Sequence, residues 1–247
     1  MSEGGRMVKL KIRTTQSQMS ESYWLAFLIT VSGGLQDVYS YFVRGKVFAN
    51  AQTGNIIFLA VALSEGRWDQ FFHYLVPLLF FTGGILFAQL IRMKLHHLKL
   101  HWRQWILLIE ILLLALVPFI ESDLVANGLI SMSCAMQVQS FRKIHSRPFA
   151  STMCIGNMRN MMENLAMFIH TKNRDYLRRS AGYMRIILYF IIGAVIGSYL
   201  SARMGIYTIM VSSILLLAAF LLMFYHTEEE ELNALEHQAV RKNPASS

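Results

Sequence analysis

The feature that most constrains this chain is a series of eight apolar runs, each separated from the next by a short polar stretch. Of the 247 residues, 54% are hydrophobic and only 15% are charged, whereas soluble domains carry about 25% charged residues. Six runs approach the roughly 20 residues that a helix needs to cross a bilayer. We therefore predict an all-α integral membrane protein, not a soluble enzyme, a disordered chain or a disulfide scaffold. The runs cover residues 23–43, 48–64, 71–91, 104–120, 124–140, 149–169, 183–202 and 205–225.

Two of these runs are unusual. Run 48–64 opens with polar residues, and its apolar helix from Thr53 onward would be only about 18 Å long at 1.5 Å per residue. Run 149–169 contains Arg159 and Glu163, which a lipid-facing helix would not carry. Non-helical backbone is tolerated within a bilayer only where it is buried in protein or lines an aqueous cavity. We predict that each segment enters as extended chain and returns to the same side as a half-helix.

The chain also repeats itself. When residues 28–36 are placed over residues 129–137, an offset of 101, Leu, Ile, Ser and Gln coincide at four of nine positions. Further coincidences follow in the same order, Phe48-Ala49 with Phe149-Ala150 and Gly54-Asn55 with Gly156-Asn157. Because these matches are ordered and are not simply leucine-rich, they predict a two-fold internal repeat.

Lysine and arginine indicate the topology, because cytoplasmic loops are enriched in both. Eight full spans would place 12 of them in cytoplasmic regions and 10 outside; six spans plus two re-entrant half-helices would place 18 inside and 4 outside. We therefore predict the second arrangement, with eight full spans as the alternative. Residues 1–22 and 227–247 would be cytosolic tails, the first basic and uncleaved. The repeats, 23–120 and 121–226, would each cross three times and so form a 3+3 inverted repeat.

Asp37 is the sharpest candidate for a functional residue, because it lies inside an apolar run. Carboxylates within a membrane are costly and usually face a cavity or a partner. Asp37 would then bind a cation or carry a proton. The alternative is a structural ion pair near the outer interface with Arg44 or Lys46.

Gln36 and Gln137 occupy equivalent positions in the two repeats. Ser32 and Ser133 precede them by one helical turn and share their faces. These side chains would either form hydrogen bonds between helices or contribute to a site at the membrane midplane.

A third group of candidates opens the two predicted half-helices. A helix N-terminus carries about half a positive charge, and glycine permits close approach to its free N–H groups. The polar side chains here would either cap the helices or help to bind a solute or ion. The group consists of Thr53, Gly54, Asn55, Gly156 and Asn157.

Arg159 and Glu163 are spaced i, i+4 and are predicted to pair on one helix face. The pair would be buried without a role, or would form a polar lining on the cytoplasmic side of a pathway. Elsewhere, Glu110 is expected to extend toward Arg103 at the interface. The small residues Gly193 and Gly197 are expected to form an internal packing face.

Several motifs together carry a family resemblance. The sequences GGLQD (33–37), VFANAQTGN (47–55) and AMQVQSF (135–141), followed by a second Gly-Asn, resemble the YoaK-like family of bacterial multi-pass membrane proteins (domain of unknown function 1275). The resemblance spans about residues 23–225 and implies a bacterial inner-membrane location. The activity of that family is unassigned, so the resemblance implies an architecture but not a function.

The sequence contains no metalloprotease, nucleophile-elbow, P-loop or dinucleotide motif, so an enzyme is not expected, and no cofactor, metal or nucleic acid is predicted. We predict a small secondary transporter or permease in the lipid bilayer, for a small solute with an anionic group bound at the midplane. The alternative is a non-transporting scaffold, sensor or lipid-interacting protein. The predicted site comprises Gln36, Asp37, Thr53, Gly54, Asn55, Gln137, Gly156, Asn157, Arg159 and Glu163.

Overall fold

The computed structural model describes residues 23–94, 102–144, 147–148, 151–152 and 154–223; both predicted tails, 1–22 and 227–247, lie outside them. The described chain is almost entirely helical, as predicted. Its helices are α1 (Tyr23–Val43), α2 (Gln52–Ser64), α3 (Trp68–Lys94), α4 (Trp102–Leu116), α5 (Asp123–Ser140), α6 (Cys154–Thr171), α7 (Arg174–Met204) and α8 (209–223). Short 3-10 turns occupy Val117–Phe119 and Gly205–Thr208, and the two-residue strands β1 (Lys143–Ile144) and β2 (Arg147–Pro148) pair antiparallel.

Three helical stretches of the described residues are long and apolar enough to cross a membrane: Trp68–Lys94, Trp102–Phe119 and Arg174–Met223. The last is 50 residues long, and the 3-10 turn at Gly205–Thr208 divides it into α7 and α8. Helices α1 and α5, with 21 and 18 residues, would measure about 30 Å at 1.5 Å per residue, but both bury many polar side chains. The arrangement of six spans and two half-helices therefore stays a prediction.

Polar side chains lie inside the fold and large apolar side chains cover much of its surface. Gln36, Glu110 and Gln137 are at most 1% exposed, whereas Val195 and Ile214 are 63% and 64% exposed. Soluble proteins bury apolar residues and leave charged groups outside. The reversed distribution is typical of a protein whose surface contacts lipid.

The helices pack in two crossed pairs, α1 along α7 and α3 along α5. Glycine makes both crossings possible. A Cβ atom on Gly193 would overlap the backbone carbonyl of Val31, and one on Gly84 would lie 2.7 Å from the carbonyl oxygen of Met132. A Cβ on Gly197 would lie 3.0 Å from Leu35 Cα, so the predicted packing face of Gly193 and Gly197 is confirmed.

The two unusual segments form helices of different length. Helix α2 has 13 residues and begins at Gln52, one residue before the predicted start. Helix α6 has 18 residues, from Cys154 to Thr171, and is longer than the predicted half-helix from Gly156. No glycine or proline interrupts the residues after Gly156, so the helix continues to Thr171, where the chain turns into α7.

Arg44 joins the two halves of the fold. Its guanidinium is almost fully buried and donates hydrogen bonds to the Tyr39 hydroxyl through Nε and to the carbonyls of Val117 and Ile120 through Nη2 and Nη1. Its Nη1 also lies 3.1 Å from Asp123 Oδ1, at the start of α5. Arg44 therefore ties the end of α1 to the connection between α4 and α5.

Candidate functional site

The chain between α1 and α2 is non-helical, and Asn55 supplies its hydrogen bonds. Asn55 Nδ2 donates to the Phe48 carbonyl at 2.7 Å, and Asn55 Oδ1 accepts the Phe48 N–H at 3.2 Å. Asn55 Nδ2 also donates to Gln52 Oε1 at 2.9 Å. The predicted capping role of Asn55 is wrong, because its side chain is occupied by Phe48 and the cap residue Ala51 makes no side-chain cap bond.

One face of α1 holds the same segment from the other side. Asp37 Oδ1 accepts the Asn50 N–H at 2.8 Å, and Ser40 Oγ accepts the Ala49 N–H at 3.2 Å. Asn50 Nδ2 donates to the Gly33 carbonyl at 3.3 Å. The N–H groups of Ala49 and Asn50, which lie outside the helices, are therefore paired with side chains. Arg44 bonds to Asp123 and not to Asp37, so the predicted alternative of an Asp37–Arg44 pair is wrong.

Gln36 and Gln137 form hydrogen bonds between helices, as one of the two predictions for them stated. Gln36 Nε2 donates to Ser32 Oγ at 2.9 Å, and Gln36 Oε1 accepts from Cys134 Sγ at 3.0 Å. Gln137 Nε2 donates to the Ile29 carbonyl and to Ser151 Oγ, each at 3.0 Å. The two amides therefore connect α1 with α5 and with the chain that leads into α6.

A cavity of about 720 Å³ lies where α1, α2 and α6 meet. Three predicted site residues line it: Asp37 from α1, Thr53 from the first turn of α2, and Gly156 from the first turn of α6. Much of the remaining wall is apolar and includes the aromatic rings of Tyr41, Phe42, Phe48, Phe81 and Phe190. The structure therefore brings the openings of both unusual helices together around one carboxylate.

The charges around the cavity have opposite signs. Asp37 is the charged side chain among the described lining residues. The N-termini of α2 and α6 each contribute about half a positive charge. A Cβ atom on Gly156 would meet nothing within 4 Å, so the first turn of α6 leaves open space for a bound group.

The other predicted site residues lie behind or away from this cavity. Gly54 packs against the Phe48 ring, and Asn157 is buried on the side of α6 that faces α7. Arg159 Nε donates to Glu163 Oε1 at 2.8 Å, which confirms the predicted pair. Their side chains are 76% and 56% exposed, so the predicted burial is wrong; α6 turns its other stripe toward α7.

The unpredicted residues at or near the cavity include the polar residues Ser40, Asn50, Gln52 and Thr152. Ser40 follows Asp37 by three residues and shares its helix face, which the sequence could have indicated. Thr152 packs so close to Gly33 that a Cβ there would touch its γ-methyl group. Contacts of this kind, between segments more than 100 residues apart, leave no signal in a single sequence.

These contacts account for the GGLQD motif, since Gly33 admits Thr152, Gly34 admits the Phe190 carbonyl of α7, and Asp37 holds Asn50. The model of the family described as Protein of unknown function (DUF1275) matches residues 25–222. The chain belongs to the DUF1275 family. The match includes all of the predicted site residues and every described helix except the first two residues of α1 and the last residue of α8.

A curated relative supports the membrane location of this DUF1275 protein. The UPF0700 transmembrane protein YoaK of Bacillus subtilis (strain 168) is 25% identical over 183 residues, which cover 70% of this chain and 80% of the relative. No solved structure matches this chain. The resemblance predicted from the motifs is confirmed, and the chain is a membrane protein of a family of unknown function.

Proposed function

We propose that this DUF1275 protein is a small secondary transporter whose solute binds in the cavity between α1, α2 and α6. The observation that carries the proposal is the meeting of two helix N-termini and the Asp37 carboxylate around about 720 Å³ of space. Many secondary transporters bind substrate where interrupted helices expose their ends near the bilayer midplane. An enzyme is not proposed, since no catalytic constellation accompanies this cavity among the described residues.

The helix pairing supports an inverted repeat, which is part of the proposal. Under the 101-residue offset α1 corresponds to α5, and by chain order α3 corresponds to α7. The pair α1 and α7 then exchanges with the pair α5 and α3. The close contacts agree, because Val31 and Met132, the partners of Gly193 and Gly84, are equivalent residues. Two equivalent halves that rock around one site are the basis of alternating access.

The proposed solute is small, with an apolar body and an anionic group. The aromatic walls would contact the body, and the open first turn of α6 at Gly156 would receive the anionic group. An anion and an ionised Asp37 would repel each other in one cavity. The proposal therefore includes a proton or Na⁺ that binds at Asp37 together with the solute.

A second candidate is an organic cation. It is favoured by the negative sign of Asp37 and by the rings of Tyr41, Phe42 and Phe48, which can attract a cation through their faces. The two candidates differ in the charge of the solute and not in its place of binding.

Two probes with the same phenyl ring and opposite charge distinguish the two candidate solutes. Benzoate and benzylamine share one apolar body, and their binding to the purified protein is measured by thermal shift and calorimetry. Preference for benzoate, strengthened at low pH or by Na⁺, supports anion symport; preference for benzylamine supports the cation candidate. Asp37→Asn keeps an acceptor for the Asn50 N–H, so it should fold. Its affinity for the preferred probe, or the effect of pH and Na⁺ on that affinity, should fall at least tenfold.

Ser64→Ala is the matched control, since Ser64 lies at the far end of α2 and outside the cavity. It should bind the preferred probe as the wild type does. If the Asp37→Asn and Ser64→Ala proteins showed the same affinity and the same dependence on pH and Na⁺, the assigned site would be contradicted. If the wild type binds neither probe and a solute library gives no uptake into proteoliposomes, the scaffold, sensor or lipid-interacting alternative is preferred.

A further inference from the structure

Glu110 is a carboxylate in the middle of the protein core. It is 0% exposed, and Leu107 and Leu114, one turn to either side, are equally buried. Those two leucines belong to the same apolar cluster as Ile130 and Cys134 of α5. Within the described residues, neither carboxylate oxygen of Glu110 has a hydrogen-bond partner. The expected extension toward Arg103 is therefore wrong.

The surroundings of Glu110 supply no counter-charge. Helix α4 packs against α5, α3 and the 3-10 turn at Val117–Phe119. Among the described residues, Cys134 of α5 is a titratable group that interacts with Glu110, and it is not a cation. No positive group of the described residues acts on Glu110. An ionised carboxylate would cost several kcal/mol in such a place, and a group of this kind neutralises instead.

Other unpaired polar atoms lie on the neighbouring helix. The hydroxyls of Ser131 and Ser133 on α5 are buried and have no partner within the described residues. Ser131 precedes Cys134 by three residues and so shares its helix face. Buried polar groups without protein partners mark places where internal water binds. A neutral Glu110 would donate its O–H to such a water.

We infer that Glu110 is a second proton-binding site within the membrane, distinct from Asp37. It holds its proton in the resting protein and releases it to water only when the α4–α5 interface admits water. Release breaks the carboxylic O–H bond, and the proton leaves on the water. The use of this proton to drive a solute rests on the proposed function, but the protonation itself does not.

Infrared spectroscopy of the purified protein at neutral pH tests the inference. A protonated carboxylic acid has a C=O stretch separate from that of carboxylates, and ¹³C-carboxyl glutamate shifts it without affecting aspartate. The wild type should show one such glutamate band, and Glu110→Gln, the isostere of the neutral acid, should lack it. Glu121→Gln is the control, because Glu121 is exposed and ends outside the core.

Absence of the glutamate band from folded wild-type protein would overturn the inference, as would its persistence in Glu110→Gln. If Glu110→Gln does not fold, a glutamate band in the labelled wild type that persists in Glu65→Gln, Glu121→Gln and Glu163→Gln supports the inference, because these three side chains are exposed. If the wild type shows the band but transports no solute, the inference about Glu110 stands and only the proposed transport function is overturned.

Discussion

The side chain of Asn55 alone supplies the two hydrogen bonds that a neighbouring β-strand would give to the backbone of Phe48. Its amide donates to the Phe48 carbonyl and accepts the Phe48 N–H, and it is 0% exposed. Asp37 Oδ1 accepts the N–H of Asn50 in the same segment. Asn55 and Asp37 therefore stabilise the chain between α1 and α2, and only their remaining hydrogen-bonding capacity is available to a solute.

Asn55→Ala should destabilise the protein by about 3 kcal/mol, since three hydrogen bonds of about 1 kcal/mol each are lost. The loss would leave the Phe48 N–H and carbonyl without their partner. Thermal or denaturant unfolding in detergent measures the effect. Ser64→Ala, at an exposed position of the same helix, should change stability by less than about 0.5 kcal/mol. Equal stability of the two variants would contradict the bridging role.

Sequence reasoning identified Asp37 and Thr53 of the cavity lining but neither their contacts nor the other polar lining residues, Asn50, Gln52 and Thr152. Asp37 and Thr53 could be found because polar residues are rare in apolar runs. The partner of Asp37 could not be predicted, because the sequence offers the nearby cations Arg44 and Lys46 as well as the backbone N–H that almost every residue carries. Arg159 and Glu163 were paired correctly, but which face of α6 meets α7 depends on contacts with another helix, such as that of Ser180 with the Met161 carbonyl.

At the scale of helices, glycine sets how closely α1 and α7 can cross. Gly34 and Gly193 each face a backbone carbonyl of the opposite helix, and neither position has room for a Cβ atom. The same arrangement recurs between α3 and α5 at Gly84. The spacing of glycines predicted a packing face, but the partner helix became known only from the fold.

Gly193→Ala should destabilise the protein by about 1–3 kcal/mol, because the added methyl group forces the α1 and α7 backbones apart. Gly182→Ala lies in the same helix, where an added Cβ meets nothing within 4 Å. It should be neutral or up to about 1 kcal/mol more stable, since alanine is the better helix former. Unfolding of both variants in detergent tests the contrast, and a similar effect of the two would refute the close crossing.

For the whole molecule, the two predicted arrangements differ in the side of the membrane on which α2 ends and the chain before α6 begins. The charge count predicts Glu65 outside and Arg142 in the cytoplasm, whereas eight full spans would reverse both. Single cysteines at Glu65 and Arg142 in a Cys134→Ser, Cys154→Ser background are labelled with an impermeant maleimide in intact cells. Only Glu65→Cys should react before permeabilisation.

Arg178→Cys is the internal control, because Arg178 is exposed and cytoplasmic in both arrangements. It should react only after the membrane is permeabilised. Reaction of Arg142→Cys but not Glu65→Cys in intact cells would establish eight spans. The apolar runs alone could not decide this point, since α6 is long enough to cross and polar enough not to.

The hydrogen bonds of the Arg44 guanidinium limit how the helices can move. Three hydrogen bonds from one buried guanidinium join the end of α1 to the connection before α5, and a fourth goes to Tyr39 of α1 itself. The two halves cannot separate at this end without exposing that charge. Any rocking between them must therefore pivot near Arg44, with its smallest amplitude there and its largest at the opposite end of the bundle.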